Sequence, residues 1–365
     1  MPPAQERPLR AVAAVRPQTV LVVMSSYPYA VDWADAHLPA VLWTSHGGQE
    51  TGRALAAVLL GDADPSGRLP QTWYRGDDTL PDRLDYDIIK AGWTYQYHRA
   101  EPLHPFGHGL SYTRFAHGGL RLSGGLVAED GQVTASVTVT NTGDRPGTET
   151  VQLYVRALHA RDEAPLLRLA DFREVRLGPG ESRGAAFTLD VAESLARWSV
   201  AGGAFTVDPG GHEVLAARSA GDVTLVAPLT VTGPVPRPRE AVGRRFAAAD
   251  FDDGANAALV DATRAAGDAV APADAAAPAT LLFRSVEVTG ARTVTAEVSR
   301  TGEGEGRLEV WAGSTRLAAL PVPGTGDRYA WTTVTGELAL PCSRVHDLRV
   351  ELAGEQRLAG FTFGG

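Results

Sequence analysis

The chain has 365 residues, 44% of them hydrophobic and 21% charged, with a formal net charge of −9. This balance predicts a globular protein of more than one domain and argues against a nucleic-acid or anionic-membrane partner, because both need a basic patch. The single cysteine, Cys342, excludes an intramolecular disulfide and a thiolate zinc cluster and is expected to be an ordinary apolar residue.

The first segment, residues 1–117, mixes helix and strand. Pro2 and Pro3 favour a helix N-terminus, and Pro17 ends that helix. Two apolar runs, TVLVVMS and PAVLWTS, predict strands buried on both faces, and the connection between them predicts parallel pairing. The following helix is expected to end at Gly61. Two strands do not make a stable sheet, so we expect elements outside this sequence to complete it.

The second segment, residues 118–233, alternates between apolar and polar residues. Val133, Ala135, Val137 and Val139 fall on one face of a predicted strand, and NTGDRPG supplies a turn before the alternation resumes. Several short strands separated by such turns predict a β-sandwich. A Pro-rich linker is predicted at residues 234–243.

The third segment, residues 244–365, again contains short strand patterns such as RTVTAEVS and RLEVWAG. These patterns predict a second β-sandwich. The Ala-rich stretch LVDATRAAGDAVAPADAAAPAT is weakly patterned, and we expect it to form a long surface loop.

Two motifs and their order carry a family resemblance. GDADPSGRLP followed by PFGHGLSYT resembles the domain junction of family-three glycoside hydrolases, which are exo-acting β-glucosidases, β-xylosidases and relatives. VTVTNTGDRPGTETVQLYV resembles the fibronectin-type-III-like domain of those enzymes, and the third segment resembles a family-six carbohydrate-binding module. The resemblance implies a mainly β chain: part of an α/β sandwich domain, a fibronectin-like sandwich and a jelly-roll module.

The same resemblance bears on the catalytic residues. In the family, a (β/α)8 barrel comes first and carries the nucleophilic Asp, and the acid/base Glu usually lies upstream of the segment that PPAQERPLRAV resembles. We therefore expect Met1 to correspond to an internal position of the family. We expect no catalytic residue in this sequence and an upstream catalytic barrel as its partner.

Four residues near the ends of the two apolar strands are candidate substrate-binding residues: Tyr29, Asp32, His46 and Glu50. Ligands of parallel sheets collect at the carboxyl ends of the strands, and aromatic rings supply apolar faces for sugars. The structural alternative is that Glu50 favours a helix N-terminus and Asp32 caps a turn.

Metal ions and cofactors are not expected. His104 and His108 bracket PFG, which breaks helical spacing, so we expect them not to share a helix face as metal ligands, with or without His46. Phosphate-binding and dinucleotide-binding fingerprints are absent from the sequence.

The third segment has its own candidates, Tyr329 and Trp331, which fall near the aromatic residues of the binding-module family; Trp331 could instead belong to the core. The family resemblance also implies a structural calcium held by acids. Here Ala247, Ala249 and Ala359 stand where those acids would be. The resemblance therefore implies loss of the calcium site.

The leading functional hypothesis is the C-terminal portion of an exo-acting β-glycosidase, with a β-linked oligosaccharide or glycoside as its ligand. The alternative is a non-catalytic carbohydrate-binding or scaffold protein built from two sandwiches. No apolar stretch reaches the length of a membrane span and no signal sequence opens the chain, so a cytoplasmic location is favoured.

Overall fold

A computed structural model describes residues 1–81, 86–159, 164–199, 202–302, 304, 306–339 and 344–365. Two compact units form: Met1–Arg197 with Thr206–Val235, and Trp198–Phe205 with Pro236–Gly365. The predicted fold class, a mainly β chain with a partial α/β layer and two sandwiches, is confirmed. Cys342 lies outside the described residues.

The α/β layer opens the first unit. Its elements, in chain order, are α1 (Pro3–Val15), β1 (Val20–Met24), α2 (Asp32–His37), β2 (Ala40–Thr44), α3 (Thr51–Leu60) and α4 (Thr94–Tyr97). β1 and β2 pair in parallel, from Val20 opposite Ala40 to Met24 opposite Thr44. The predicted parallel pairing is therefore confirmed.

The apolar strand β1 is only partly covered, in line with the expectation that this sequence does not complete its sheet. Val20 and Met24 are 40% and 51% exposed, and Val23 is the strand's buried residue. A continuous apolar run can be covered on both faces only where other elements lie against both. Among the described strands, β1 pairs with β2 alone.

The helix boundaries follow local signals. α1 begins at Pro3, and α3 ends at Leu60, where Gly61 adopts a left-handed backbone with φ 81° and donates its N–H to the carbonyls of Ala57 and Val58. This is the glycine stop that the sequence predicts. In the described part of the chain, no helix has both the length and the apolar character that a membrane span requires.

A β-sandwich follows in the same unit. Its strands are β3 (Phe115–Leu122), β4 (Leu126–Ala128), β5 (Gln132–Asn141), β6 (Gly147–Ala157), β7 (Arg168–Leu177), β8 (Ser182–Asp190), β11 (Gly210–Ser219) and β12 (Asp222–Thr232), with the short helix α5 (Val191–Leu195) after β8. Between α5 and β11 in the chain, β9 (Arg197–Ser199) pairs with β10 (Ala204–Thr206) in a separate two-stranded sheet, and Trp198–Phe205 belongs to the second unit. One sheet has the order β4-β12-β11-β6-β7 and the other the order β3-β5-β8. The predicted alternation on β5 is confirmed, because Val133, Ala135, Val137 and Val139 are all buried.

The second unit contains the other β-sandwich. Its strands are β13 (Arg239–Glu240), β14 (Arg245–Ala247), β15 (Asp253–Ala255), β16 (Ala257–Asp261), β17 (Asp268–Pro272), β18 (Ala279–Glu287), β19 (Thr293–Arg300), β20 (Gly306–Ala312), β21 (Thr315–Val322), β22 (Thr332–Glu337), β23 (Val345–Leu352) and β24 (Gln356–Gly364). One sheet runs β13-β18-β23-β20-β21, with β15 on β18. The other runs β16-β17-β24-β19-β22, with β14 on β24.

The loop predicted for the Ala-rich stretch is wrong. Its first half forms the antiparallel hairpin β16–β17, in register from Ala257 opposite Pro272 to Asp261 opposite Asp268. Ala269 and Val270 are fully buried. Alanine has a weak strand preference, so the hairpin depends on tertiary packing against β24 rather than on local pattern.

Candidate functional site

The four candidate residues of the α/β layer follow the two strands, as the sequence predicts, but they make separate local contacts. The Tyr29 hydroxyl donates to the Tyr27 hydroxyl at 3.4 Å, and Asp32 pairs with Arg75 at 3.3 Å. Among the contacts of the described residues, none joins one candidate residue to another. The role of these residues in binding stays a prediction.

The two candidate carboxylates are exposed. The Asp32 side chain is 58% exposed and Glu50 is 63% exposed, where it pairs with Arg53 at 3.4 Å. Asp32 is the first residue of α2 and Glu50 immediately precedes α3, positions where carboxylates favour the helix dipole. Each carboxylate is therefore in contact with a guanidinium group at a helix start.

His104 and His108 come together in spite of the intervening PFG. Their rings stack with centroids 4.7 Å apart, and His104 Nε2 lies 3.3 Å from an oxygen of Asp35. Burial lowers the pKa of both histidines. The two residues do not share a helix face, as the sequence predicts, because the segment forms a turn in which the His108 N–H donates to the Pro105 carbonyl; this turn brings the two rings together.

An aromatic pocket lies beside Tyr29 in the same unit, and sequence reasoning missed it. It has a volume of about 440 Å³ and is lined by aromatic side chains of Tyr29, Tyr74, Trp93, Tyr95 and Phe106. The aromatic clusters TWY and GWTYQY were the signal, but they lie about 20 residues apart in the chain, so only the fold places them on one cavity.

One aromatic wall of the pocket packs against the neighbouring β-sandwich. Tyr95 stacks on Phe106 with centroids 4.4 Å apart and meets the Tyr154 ring of β6 edge-on at 6.1 Å. The Tyr95 hydroxyl accepts the N–H of Leu169 on β7 at 3.1 Å. The fibronectin-like sandwich therefore fixes the orientation of Tyr95.

Three polar features mark the pocket. Thr72 is 7% exposed, and its hydroxyl has no hydrogen-bond partner among the described residues. Thr94 has φ 63°, a left-handed conformation that is strained for a β-branched residue. Its N–H donates to the Tyr74 hydroxyl at 3.1 Å, and burial raises the pKa of Tyr74, so this hydroxyl keeps its proton.

The two family motifs have a joining role. Asp64 of GDADPSGRLP accepts hydrogen bonds from the Ser111 hydroxyl at 2.7 Å, the Tyr112 N–H at 2.8 Å and the Thr148 N–H at 3.2 Å. Gly107 of PFGHGLSYT has φ 81°, and a Cβ there would lie 2.0 Å from the amide oxygen of Gln152. Both motifs therefore dock the α/β layer onto β6.

A buried ion cluster completes that junction. Glu149 on β6 lies 3.2 Å from Arg68 and 3.1 Å from His117, and the three side chains are 3%, 10% and 0% exposed. His117 contacts the Thr224 hydroxyl through its other ring nitrogen at 2.9 Å. The cluster joins the α/β layer to both sheets of the sandwich.

In the second unit, Tyr329 and Trp331 are half-buried. The guanidinium groups of Arg264 and Arg357 lie 5.6 Å and 5.4 Å from the Tyr329 ring centroid, and the Trp331 indole donates to the Ala262 carbonyl at 2.8 Å. These contacts fix both aromatic side chains. Their role in sugar binding stays a prediction.

The residues of this sandwich do not fit the calcium that the family resemblance implies. Ala247 on β14 and Ala359 on β24 offer no carboxylate, and the Arg245 guanidinium donates both to Glu297 at 2.6 Å and to the Ala359 carbonyl at 3.2 Å. The positively charged Arg245 side chain thus contacts oxygens of this region. Calcium prefers several oxygen ligands at short distance, which this arrangement does not supply.

Comparisons with known proteins agree with this organisation. Residues 1–112 match the Glycosyl hydrolase family 3 C-terminal domain, residues 149–220 the Fibronectin type III-like domain and residues 247–364 the Carbohydrate binding module (family 6). The chain is 39% identical over 238 residues to a β-glucosidase of Rhizobium radiobacter and 36% identical over 233 residues to a xylan 1,4-β-xylosidase of Xylanibacter ruminicola. These matches cover 61% and 64% of this chain but 29% and 26% of the two relatives.

Two solved structures of β-glucosidase relatives also match part of this chain. The β-glucosidase of Kluyveromyces marxianus in complex with glucose has a TM-score of 0.58 at 29% identity, covering 64% of this chain and 29% of that one. The β-D-glucoside glucohydrolase of Trichoderma reesei has a TM-score of 0.55 at 27% identity, covering 61% of this chain and 35% of that one. The chain therefore spans about a third or less of the relatives that it matches.

Proposed function

We propose that this chain, which matches in order a family 3 glycoside hydrolase C-terminal domain, a fibronectin type III-like domain and a family 6 carbohydrate-binding module, is the C-terminal portion of an exo-acting β-glycosidase. Its substrates would be β-glucosides or β-xylosides, as the names of the relatives suggest. The observation that carries this proposal is the order of the three matches. A partial α/β domain docked on a sandwich by the two motifs supports it.

The exposure of the two candidate carboxylates supports a catalytic step outside this chain. Retaining glycosidases need two carboxylates about 5–5.5 Å apart, and the one that protonates the leaving oxygen needs burial or a nearby carboxylate. Asp32 and Glu50 are exposed and each faces an arginine. We infer that this chain alone does not hydrolyse glycosides and that a catalytic barrel supplies the reacting carboxylates.

The surface of the α/β layer supports such a partner. No residue of α1 or α3 is buried, and their apolar side chains Val12, Val15, Leu59 and Leu60 are 52%, 80%, 49% and 77% exposed. Apolar side chains on two helices and a short parallel sheet favour association. We propose that this surface contacts the catalytic portion of the enzyme.

A chimera tests the proposal. The matched 238 residues of the Rhizobium radiobacter β-glucosidase would be replaced by the matched region of this chain, leaving the relative's upstream part intact. We expect the chimera to hydrolyse 4-nitrophenyl β-glucoside or β-xyloside, with a bell-shaped pH dependence from its two carboxylates. The 365-residue chain alone should show no turnover above buffer.

The controls separate the alternatives. Glu50→Gln in the chimera should keep turnover unless Glu50 contacts the sugar, since this carboxylate is not assigned to the reaction. A folded chimera without activity would contradict the proposal. Turnover by the chain alone that is lost in Glu50→Gln would show that the catalytic acid is in this sequence.

A second function, non-catalytic carbohydrate binding, is favoured by the family 6 match over residues 247–364. If the third domain binds sugar through Tyr329, Tyr329→Ala should weaken retention of the chain on insoluble cellulose or xylan. Equal retention of both proteins would count against a role for this aromatic residue.

A further inference from the structure

We propose that the aromatic pocket of the α/β layer binds a small quaternary ammonium ion, for which choline is the probe. This ligand class goes beyond the proposed function and does not depend on it. The pocket's volume of about 440 Å³ lies within the range of small-molecule sites, about 300–1,000 Å³. Its aromatic lining comes from Tyr29, Tyr74, Trp93, Tyr95 and Phe106.

The ring faces of this pocket are available to a cation. An aromatic face is electron-rich and attracts a positive group that lies within about 6 Å of the ring centroid. In the second unit the chain fills such positions itself, because Arg264 and Arg357 lie 5.6 Å and 5.4 Å from the Tyr329 ring centroid. Among the described residues, no arginine or lysine lies over four of the pocket rings, which are those of Tyr29, Tyr74, Tyr95 and Phe106. These faces can therefore receive a cation from outside the chain.

The charge of the lining also favours a positive ligand. Asp77 is the one charged residue among the described residues that line the pocket, and it is exposed. In the described part of the chain, its carboxylate forms no ion pair. A carboxylate without a counter-ion beside an aromatic cavity attracts cations and disfavours phosphorylated or acidic compounds. The formal net charge of −9 acts in the same direction.

The other lining residues favour a quaternary over a primary ammonium ion. A primary ammonium has three N–H donors that need acceptors once it leaves water, whereas a quaternary ion has none. The Tyr74 hydroxyl already accepts the Thr94 N–H at 3.1 Å. Four further lining residues have apolar side chains: Pro28, Ala30, Pro70 and Leu80. The methyl groups of a quaternary ion can pack against these surfaces without losing a hydrogen bond.

Two of the aromatic walls are fixed before a ligand arrives. The Tyr95 ring stacks on Phe106 with centroids 4.4 Å apart, and its hydroxyl accepts the Leu169 N–H at 3.1 Å. Tyr74 is bound by the N–H of Thr94, which has a left-handed backbone with φ 63°. A strained backbone that is retained beside a cavity is typical of ligand sites. Preformed walls reduce the ordering cost of binding.

The experiment uses the full 365-residue chain. Choline chloride would be titrated by calorimetry and by tryptophan fluorescence at low ionic strength, with sodium chloride as the salt control. The matched ligand is 3,3-dimethylbutan-1-ol, in which carbon replaces the charged nitrogen of choline, and ethanolamine represents the primary ammonium ions. We expect saturable choline binding with a Kd of about 1 mM and about tenfold weaker binding of the alcohol and of ethanolamine.

Two variants assign the binding to this pocket. Tyr29→Leu keeps an apolar wall but removes a ring face, so the affinity for choline should fall about three- to tenfold and that for the neutral alcohol should fall less. Asp77→Asn removes the carboxylate charge, so it should weaken choline binding about threefold and leave binding of the alcohol unchanged. Asp78→Asn is the matched control, because it removes the same charge from a neighbour outside the described lining, and it should leave the affinity for choline unchanged.

Three results would overturn the proposal. These are the absence of saturable choline binding, binding of the neutral alcohol as tight as that of choline, and choline binding that Tyr29→Leu and Asp77→Asn both leave intact. Ethanolamine binding as tight as choline binding would overturn the choice of a quaternary ion. All of these measurements report binding by the chain alone, so they are independent of whether the chimera hydrolyses glycosides.

Discussion

The fibronectin-like sandwich and the α/β layer belong to one compact unit, yet they bury their apolar residues differently. Along β5, burial alternates residue by residue, and the sandwich core includes Leu153, Phe187 and Val214, all at most 1% exposed. In the α/β layer, α1 and α3 have no buried residue, and β1 has one.

The difference in burial depends on whether the elements that cover an apolar face belong to the same segment of the chain. An alternating strand shows in its own sequence which face is buried, and the strands that cover it follow within the same segment. A continuous apolar run or an amphipathic helix shows only that some partner is needed. The sandwich therefore covers its own apolar faces, whereas apolar side chains of the α/β layer are exposed in this chain.

The largest expected effect is on the free energy of unfolding, and it is tested by shortening one leucine in each of the two regions. Leu153→Ala removes a fully buried side chain from the sandwich and should lower the free energy of unfolding by about 2–5 kcal/mol. Leu60→Ala removes a side chain that is 77% exposed and should change it by about 0.5 kcal/mol or less. Urea unfolding of the full chain measures both.

Equal losses of unfolding free energy in Leu153→Ala and Leu60→Ala would contradict this difference between the two regions. Such a result would mean that the surface of α3 is already covered in solution, for instance by a second copy of the chain. Sedimentation of the Leu60→Ala protein would show whether self-association had been lost.

A smaller effect is expected at the junction between the two regions. Glu149→Gln leaves Arg68 and His117 buried without their carboxylate and should cost about 1.5–3 kcal/mol. Glu213→Gln breaks a more exposed pair with Arg156 on neighbouring strands and should cost about 1 kcal/mol or less. If thermal unfolding shows the same loss for both, the buried cluster does not stabilise the junction.

The next effect depends on pH. Burial lowers the pKa of His104 and His108, while the neighbouring Asp35 acts in the opposite direction. The unfolded chain therefore binds more protons below about pH 6.5, so the stability present at pH 7 is lost as the pH falls toward 5. His108→Gln should reduce this slope in a series of thermal melts. An unchanged slope in His108→Gln would contradict the assignment.

The sequence predicted those parts of the fold that local signals determine. Gly61 ends α3 because a left-handed residue is needed there, and the alternation on β5 identifies the buried face. The hairpin of β16 and β17 was mistaken for a loop because alanines carry little strand signal, and only contacts with β24 reveal it.

The candidate site was predictable only in part. Tyr29 could be placed near the strand ends because parallel strands end at one edge. The contribution of Trp93 and Tyr95 to the pocket could not be predicted. The sequence between them and Tyr29 has little periodicity, so it does not indicate that the chain brings these residues to the same pocket. Thr72 is conspicuous only because its buried hydroxyl has no hydrogen-bond partner in the described part of the chain, which is a property of the folded environment.

The smallest expected effect concerns the other sandwich, where the Arg245 guanidinium contacts Glu297 and the Ala359 carbonyl. Both charged side chains are about half exposed, so Arg245→Met should cost about 1 kcal/mol or less. Since Ala247 and Ala359 supply no carboxylate, neither calcium nor a chelator should shift the unfolding temperature of the wild-type chain. Differential scanning calorimetry with calcium and with EDTA measures this directly. A rise in the unfolding temperature with calcium that persists in Arg245→Met would contradict this prediction. It would show that other oxygens of the sandwich bind calcium and that the Arg245 guanidinium does not replace the ion.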